Sequence, residues 1–460
     1  MSADRPSRAP TGLLSRIGLN RPELRAWAMY DWAVSAVQTT IMVAVFPIFF
    51  KRVAAGDLPD ETSTQYIAAA NSVAMALIAV LSPILGALAD FTAAHKRFLA
   101  AFMGVGATAV AAMFFIGRGD VWLAYWLFVF ALLGAAGSMV FYESLLPHIA
   151  SHEEIDRVST AGYGLGYFGG GVLLAINLAW ILFPGAFGLP SGEGLSERAS
   201  TLPTRLALLS VAAWWIAFSI PLFRRVPAPT RRLEADETRA VHPIRAAFVR
   251  LAETLRELRG YRQAFLMLLA FLVYNDGIQT IIKMATAYGT DLGIGQNALI
   301  SAILIVQFVG IPFAFVFGGL AGRIGTKPAI FVGLLAYVGI SILGYFMTSA
   351  LHFYLLAGLV GMVQGGTQAL SRSLFASMVP PHKSGEFFGF FSVFEKFAGI
   401  FGPLFFAVSL WLTGSSRNAI LSVIVFFVIG AILLALVDED EGRRVARAAE
   451  AGVREVEPAG

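Results

Sequence analysis

Cysteine is absent from the 460 residues, so disulfides and thiolate metal sites are excluded and the redox compartment is left open. Charge is scarce as well: 14% of residues are charged against 57% hydrophobic, and mean hydropathy is +0.71. Too much apolar surface remains for a soluble core to bury, so the chain is a polytopic membrane protein. Several functional classes are missing with it. No glycine-rich phosphate loop ending in Lys-Ser or Lys-Thr occurs, and the polar stretches are too short for a nucleotide-binding domain, which argues against ATP-driven pumping and against an enzyme. The six histidines (His95, His148, His152, His242, His352 and His382) show no paired ligand spacing on one helix, so neither a metal nor a cofactor is expected. The first 26 residues carry Arg5, Arg8, Arg16, Arg21 and Arg25 but no apolar run long enough for a cleaved signal.

What is present is a series of apolar runs of about 20 residues, the length that spans a hydrocarbon core. Twelve start near Ala28, Tyr66, Phe98, Val121, Ser159, Arg205, Gln263, Asn297, Lys327, His352, Glu386 and Asn418. An even number places both termini on one side. The basic residues name that side: 25 fall in the tails and loops of the terminal side, and six (Lys51, Arg52, Arg118, Arg198, Arg205 and Arg417) on the other. Positive residues concentrate in the cytoplasm, so both termini are expected there. The same bias accounts for the net charge of +4 and the pI near 9.3, and no nucleic-acid partner is expected. Only six of the 34 basic residues are lysine, the codon signature of a GC-rich bacterial genome and hence of an inner-membrane location.

The longest polar stretch, Arg224 to Arg262, divides the spans into two sets of six. The expected organisation is an N-tail over 1–27, a first six-helix half over 28–223, a linker over 224–262, a second half over 263–437 and a C-tail over 438–460. Within the linker Ile244, Phe248, Leu251, Leu255 and Leu258 recur at helical spacing with arginines on the other faces. That pattern predicts an amphipathic helix on the membrane surface, most simply a tether between the halves.

The halves resemble each other. Gly86-Ala87-Leu88-Ala89-Asp90 followed by His95-Lys96-Arg97 corresponds to Gly318-Gly319-Leu320-Ala321-Gly322-Arg323 followed by Lys327. Glu143-Ser144-Leu145 corresponds to Arg372-Ser373-Leu374, and Gly166-Tyr167-Phe168-Gly169-Gly170 to Gly399-Ile400-Phe401-Gly402-Pro403. Tyr30-Asp31-Trp32 on span one corresponds to Tyr274-Asn275-Asp276 on span seven.

Acids and bases inside apolar spans are costly and mark functional paths. Helical geometry sorts them into stripes: Asp31, Ser35 and Gln38 on span one, Asp276, Gln279 and Lys283 on span seven, Gln364, Gln368 and Arg372 on span ten. Glu143, Glu395 and Lys396 add further intramembrane charge. Such charges either contact a solute or pair with one another to hold the halves together. The candidate substrate or coupling residues are Asp276, Gln279, Lys283, Gln364, Gln368, Arg372, Lys396, Gln38 and Ser35. Asp276, Glu143 and Glu395 are the candidate proton carriers, because desolvation favours a neutral carboxyl. Asp31, Asp90, Lys96, Arg97 and Arg323 are the candidate cytoplasmic gate.

Two parallel six-helix repeats are the architecture of major facilitator transporters, an all-α membrane fold with the solute site between the halves. The stretch Gly86 to Arg97 resembles that superfamily's signature loop, with Asp90 in its acidic position and Lys96-Arg97 in its basic one; Gly322 replaces the acid in the second half, so any gating there is asymmetric. Tyr30-Asp31-Trp32-Ala33, Tyr274-Asn275-Asp276-Gly277, Gln364-Gly365-Gly366 with Gln368-Ala369-Leu370-Ser371-Arg372-Ser373, and Phe387-Phe388-Gly389 with Lys396-Phe397 and Gly402-Pro403 resemble the autophagy-related vacuolar effluxer-like branch and its bacterial relatives. Glu395 departs from the small or hydroxyl residue expected beside the family lysine, which alters local charge balance. The resemblance implies a monomeric secondary transporter working by alternating access. Its expected partners are a small polar or zwitterionic solute, amino acids by the family's role, together with protons and membrane lipids. An exporter of lipid-like or drug-like compounds, or a non-transporting receptor or scaffold, are the alternatives.

Overall fold

In the computed structural model, residues 12–151, 153–192, 194–230, 232–233, 261–294, 296–398, 401–451 and 454–455 are described. The expected amphipathic helix of the linker lies outside them, as does the start of the N-tail.

A backbone in hydrocarbon must satisfy its own N–H and C=O groups, and the apolar runs do so as helices. Among the described residues, eleven are long and apolar enough to cross a membrane. In chain order they are α1 (Pro22–Ala54), α2 (Asp60–Thr92), α3 (His95–Ala112), α4 (Val121–Ser144), α5 (Ile155–Leu182), α6 (Leu202–Arg225), α7 (Arg262–Asp291), α8 (Gln296–Ile324), α9 (Thr326–Tyr345), α10 (Ala350–Ser377) and, after an interruption, α13 (Ser416–Ala435). The expected eleventh span of twelve is instead two shorter helices, α11 (Ser384–Phe397) and α12 (Phe401–Thr413). Ala398 turns extended at φ −61°, ψ 136°, ending α11, and Pro403 sits in the first turn of α12, where its missing N–H costs nothing. A final amphipathic helix, α14 (Glu439–Ala451), follows the last span.

Within α1 the hydrogen bonding widens from i−4 to i−5: Val45 N donates to Thr40 O at 2.8 Å, and Ala55 N to Phe50 O at 2.7 Å. The widening begins at Val37, within the Asp31, Ser35, Gln38 stripe and just before its last member.

Packing repeats with a shift of six spans. α1 packs on α5 and α6 as α7 packs on α11 and α13; α2 packs on α4 as α8 packs on α10; α3 packs on α4 as α9 packs on α10. The two sets of six meet through α2 against α11 and α5 against α8, which are themselves equivalent under that shift.

Both described chain ends lie on the same face of the bundle. Arg21, entering α1, donates to Ile149 O at 2.7 Å and pairs with Glu154 before α5. α14 lies against the start of α7 and the end of α10: Asp438 N donates to Gln263 Oε1 at 2.9 Å, and Arg443 Nε to Ser377 Oγ at 3.3 Å. Lys327 caps the end of α13 by donating to Ala435 O and Val437 O. A two-residue antiparallel pairing, Arg232 with Glu455 and Leu233 with Arg454, completes this terminal face.

Candidate functional site

Three polar stripes run through the bundle, and each changes exposure along its length. On α1, Asp31 is buried, Ser35 half-buried and Gln38 exposed; on α7, Asp276 is buried, Gln279 half-buried and Lys283 exposed. α10 runs the other way, from half-buried Gln364 and Gln368 to fully buried Arg372. In every case the buried end lies toward the terminal face.

Arg372 is richly provided with partners and has no exposed surface. Its Nε donates to Ser159 Oγ at 2.9 Å and Nη2 to Ser159 O at 2.9 Å, while Ser159 Oγ in turn donates to Ala369 O at 2.8 Å. Nη1 and Nη2 each lie 3.4 Å from Asp31 Oδ2, and Nη1 lies 3.7 Å from Glu143 Oε1. Tyr142 Oη donates to the same Asp31 oxygen at 2.8 Å. Three rings enclose the guanidinium: Tyr163 at 4.4 Å, Trp27 at 5.0 Å and Tyr142 at 5.8 Å from the ring centroids. Trp27 stacks on Tyr142 and donates to its carbonyl at 3.0 Å, which fixes the cage. A desolvated guanidinium needs this combination of opposite charge, acceptors and ring faces. Gly162 makes room: a Cβ there would stand 2.6 Å from Asp31 Oδ2 and 3.2 Å from Arg372 Nη2.

Asp31 and Arg372, assigned on sequence to the gate and to the solute respectively, therefore belong to one cluster across the two sets of spans, together with Glu143. Asp276 is held elsewhere, on the helix turn where Asn275 accepts from Gln368 Nε2 at 3.4 Å and Tyr274 Oη meets Ser371 Oγ. Glu395 is half-buried on α11, and the side chain of Lys396 lies outside the described residues. Ser35 packs against Gly166 of α5.

The expected gate residues divide. Asp90, at the end of α2, accepts from Gly385 N and Glu386 N at 2.9 Å each, the free amides at the start of α11, and its Oδ1 lies 2.8 Å from His95 Nε2. A carboxylate there satisfies orphan donors and meets the positive end of the helix dipole. Gly86 and Gly385 permit the approach, since a Cβ on Gly86 would fall 2.1 Å from Gly385 O. Lys96 instead serves the end of α6, donating to Phe223 O at 2.9 Å and Val226 O at 2.7 Å. Arg97 and Arg323 are exposed.

Sequence reasoning missed the cage aromatics and two terminal-face contacts. Asp156 of α5 accepts from Thr326 Oγ1 at 2.6 Å and from Ser373 Oγ, and His148 Nε2 lies 3.0 Å from Ser384 Oγ. Only the adjacency of Tyr142 to Glu143 was available as a signal; partners this distant in sequence leave no periodic trace. These cross-contacts close the terminal face by hydrogen bonds between side chains and helix ends.

Comparison with known proteins adds a family. The family described as "Vacuole effluxer Atg22 like" matches residues 59–447. An uncharacterized MFS-type transporter, YxiO of Bacillus subtilis (strain 168), is 38% identical over 424 residues, covering 92% of this chain and 96% of the relative. Autophagy-related protein 22-1 of Aspergillus niger is 25% identical over 307 residues, covering 63% of this chain; the chain spans about half (48%) of that fungal relative's length. Among solved structures, the major facilitator transporter FucP in its outward conformation superposes with a TM-score of 0.67 at 14% identity, covering 92% of this chain and 99% of FucP. The proton:xylose symporter XylE gives a TM-score of 0.67 at 12% identity, covering 95% and 98%. At such identities these two structures speak for the fold alone.

Proposed function

The chain belongs to the Atg22-like vacuole effluxer family of major facilitator-type transporters, and on that premise we propose that it exports a small polar or zwitterionic solute, amino acids first among them, by proton-coupled alternating access.

The observation that carries this reading is the graded exposure of the three polar stripes. A cavity lined by α1, α7 and α10, open on the face away from the termini and sealed at the Asp31–Arg372 pair, accounts for that gradient. A zwitterion needs an acid for its ammonium and a base for its carboxylate. Asp276 and Arg372 supply one of each, with Gln279, Gln364 and Gln368 as neutral donors and acceptors between them. Ser35, Gln38 and Lys283 complete the proposed lining.

Opening of the terminal face requires that Asp90 leave the start of α11, that Asp156 release Thr326 and Ser373, and that Arg372 part from Asp31. A solute carboxylate arriving at Arg372 replaces the Asp31 oxygen and lowers the cost of that last step. Protonation of Glu143, which also lies against Arg372, does the same for the acids left behind. By the positive-inside bias the terminal face is cytoplasmic, which puts the present arrangement open to the outside of a bacterial inner membrane.

Proteoliposomes under an imposed pH gradient test the reading. Labelled amino acids and small peptides should move in a gradient-dependent manner. Asp276→Asn and Arg372→Lys should each cut the rate about tenfold or more, the loss expected when a charge-assisted contact is removed. If no solute of a broad screen moves or stabilises the protein, the substrate class is wrong; normal transport by both variants would reject the site.

A further inference from the structure

On the lipid-facing side of the bundle, near the terminal face, a cleft of about 390 Å³ opens between the start of α1 and the end of α6. Arg25, Arg224 and Arg225 line it with Met29, Ile220 and Pro221. Three guanidinium groups sharing one cleft repel each other unless an anion joins them. Among the described residues none of the three has a side-chain hydrogen bond or ion pair, and Arg25 Nε is buried without a partner. Their neighbours are satisfied: Arg21 engages Glu23, Glu154 and Ile149 O, and Lys96 takes the carbonyls of Phe223 and Val226 at the end of α6. Lys96 thereby occupies two of the carbonyl acceptors at the end of α6.

Helix dipoles explain only part of this. Arg224 and Arg225 stand at the negative end of α6, where cations are favoured, but Arg25 stands in the first turns of α1, where they are not. Topology places basic residues at this face without gathering them into one cleft. The apolar approach is specific too. Ile216, Ile220 and Arg224 follow at four-residue spacing, so one strip of α6, 48% exposed at Ile216 and 42% at Ile220, runs from the bilayer directly to the guanidinium groups.

We propose that this cleft binds an anionic phospholipid, its headgroup phosphate held by Arg25, Arg224 and Arg225 and one acyl chain laid along Ile216 and Ile220. Guanidinium groups meet phosphate oxygens with paired, charge-assisted hydrogen bonds, and basic clefts at span ends are where anionic headgroups settle. Free phosphate shares the headgroup chemistry but has no use for the apolar strip.

The full-length protein in neutral detergent, titrated with phosphatidylglycerol, phosphatidylcholine or inorganic phosphate, separates the sources. Native mass spectrometry reads retained lipid and thermal melting reads stabilisation. Phosphatidylglycerol should be retained and should raise Tm; the other two should not. The variant Arg25→Gln/Arg224→Gln/Arg225→Gln should weaken phosphatidylglycerol retention about tenfold or more, whereas Arg16→Gln/Arg444→Gln/Arg447→Gln, removing the same charge from exposed positions, should not. Should the cleft triple fail to fold, Arg25→Gln alone must still lower retention severalfold. Equal retention of phosphatidylcholine, equal stabilisation by inorganic phosphate, unchanged retention in the cleft variant, or an equal loss in the control triple would each overturn the proposal.

Discussion

Arg372 directs both terminal nitrogens at one oxygen of Asp31, 3.4 Å from each, across 341 residues of sequence. That oxygen also accepts from Tyr142, so the pair is held by three donors and buried beneath three rings. Removing one partner of a buried pair leaves the other charge uncompensated, at a cost of about 3–5 kcal/mol.

Asp31→Asn is therefore expected to lower the melting temperature markedly, and Arg372→Gln comparably. Their double variant should recover part of the loss, with a coupling energy of about 1–3 kcal/mol in a thermal-unfolding cycle. Strict additivity would show that the two side chains do not act together.

Gly86 faces Gly385 where α2 crosses α11, and no Cβ fits there. Gly86→Val should exclude the closed terminal face while leaving the spans intact. The absence of native cysteine makes spin labels at Arg97→Cys and Arg323→Cys unambiguous. The label-to-label distance should lengthen in the Gly86→Val background; an unchanged distribution would mean that the close approach does not set the state.

Asp90 is expected to act in the same direction but more weakly. Asp90→Ala leaves Gly385 N and Glu386 N without their acceptor and removes the charge from the start of α11. A lost cap of this kind is worth about 1–2 kcal/mol. The same labels should report a shift of roughly five- to thirtyfold in the ratio of open to closed molecules.

Glu439 opens α14 and lies outside the spans. Burial raises its pKa above the ordinary glutamate value, against the opposing pull of Arg443 and Lys327. A folded-state pKa above the unfolded one contributes stability that is full below the unfolded value and lost as pH rises through the folded one. Docking of α14 should thus weaken as pH climbs through and just above the glutamate range. Amide-exchange protection factors across α14 should fall there, and Glu439→Gln should flatten the response. A pH-independent protection in the wild-type protein would contradict the assignment.

The spans were legible because the signal for each is local. A run of about 20 apolar residues must become a helix in hydrocarbon whatever surrounds it, and α1 to α10 and α13 follow from that. For the eleventh, hydropathy does not register the extended turn at Ala398, and Pro403 is as compatible with a helix start as with a kinked interior. Helical spacing also placed Asp31, Ser35 and Gln38 on one face of α1, since that periodicity too is local. It gave no means of learning that Asp31 meets Arg372, or that Lys96 turns to the end of α6 while Asp90 turns to α11.

The sequence by itself determined that this chain lives in a membrane, that its apolar runs cross it as helices, and which side chains carry charge into the apolar layer. Composition and period suffice for these, because each depends on a residue and its near neighbours. Tertiary structure alone decided which charges meet. The Trp27–Tyr142–Tyr163 cage, the Asp90 cap on α11 and the unpaired arginines between α1 and α6 all join segments far apart in the chain. Their pairing depends on how glycine-lined helix faces dock, and that geometry is fixed only when the whole bundle packs.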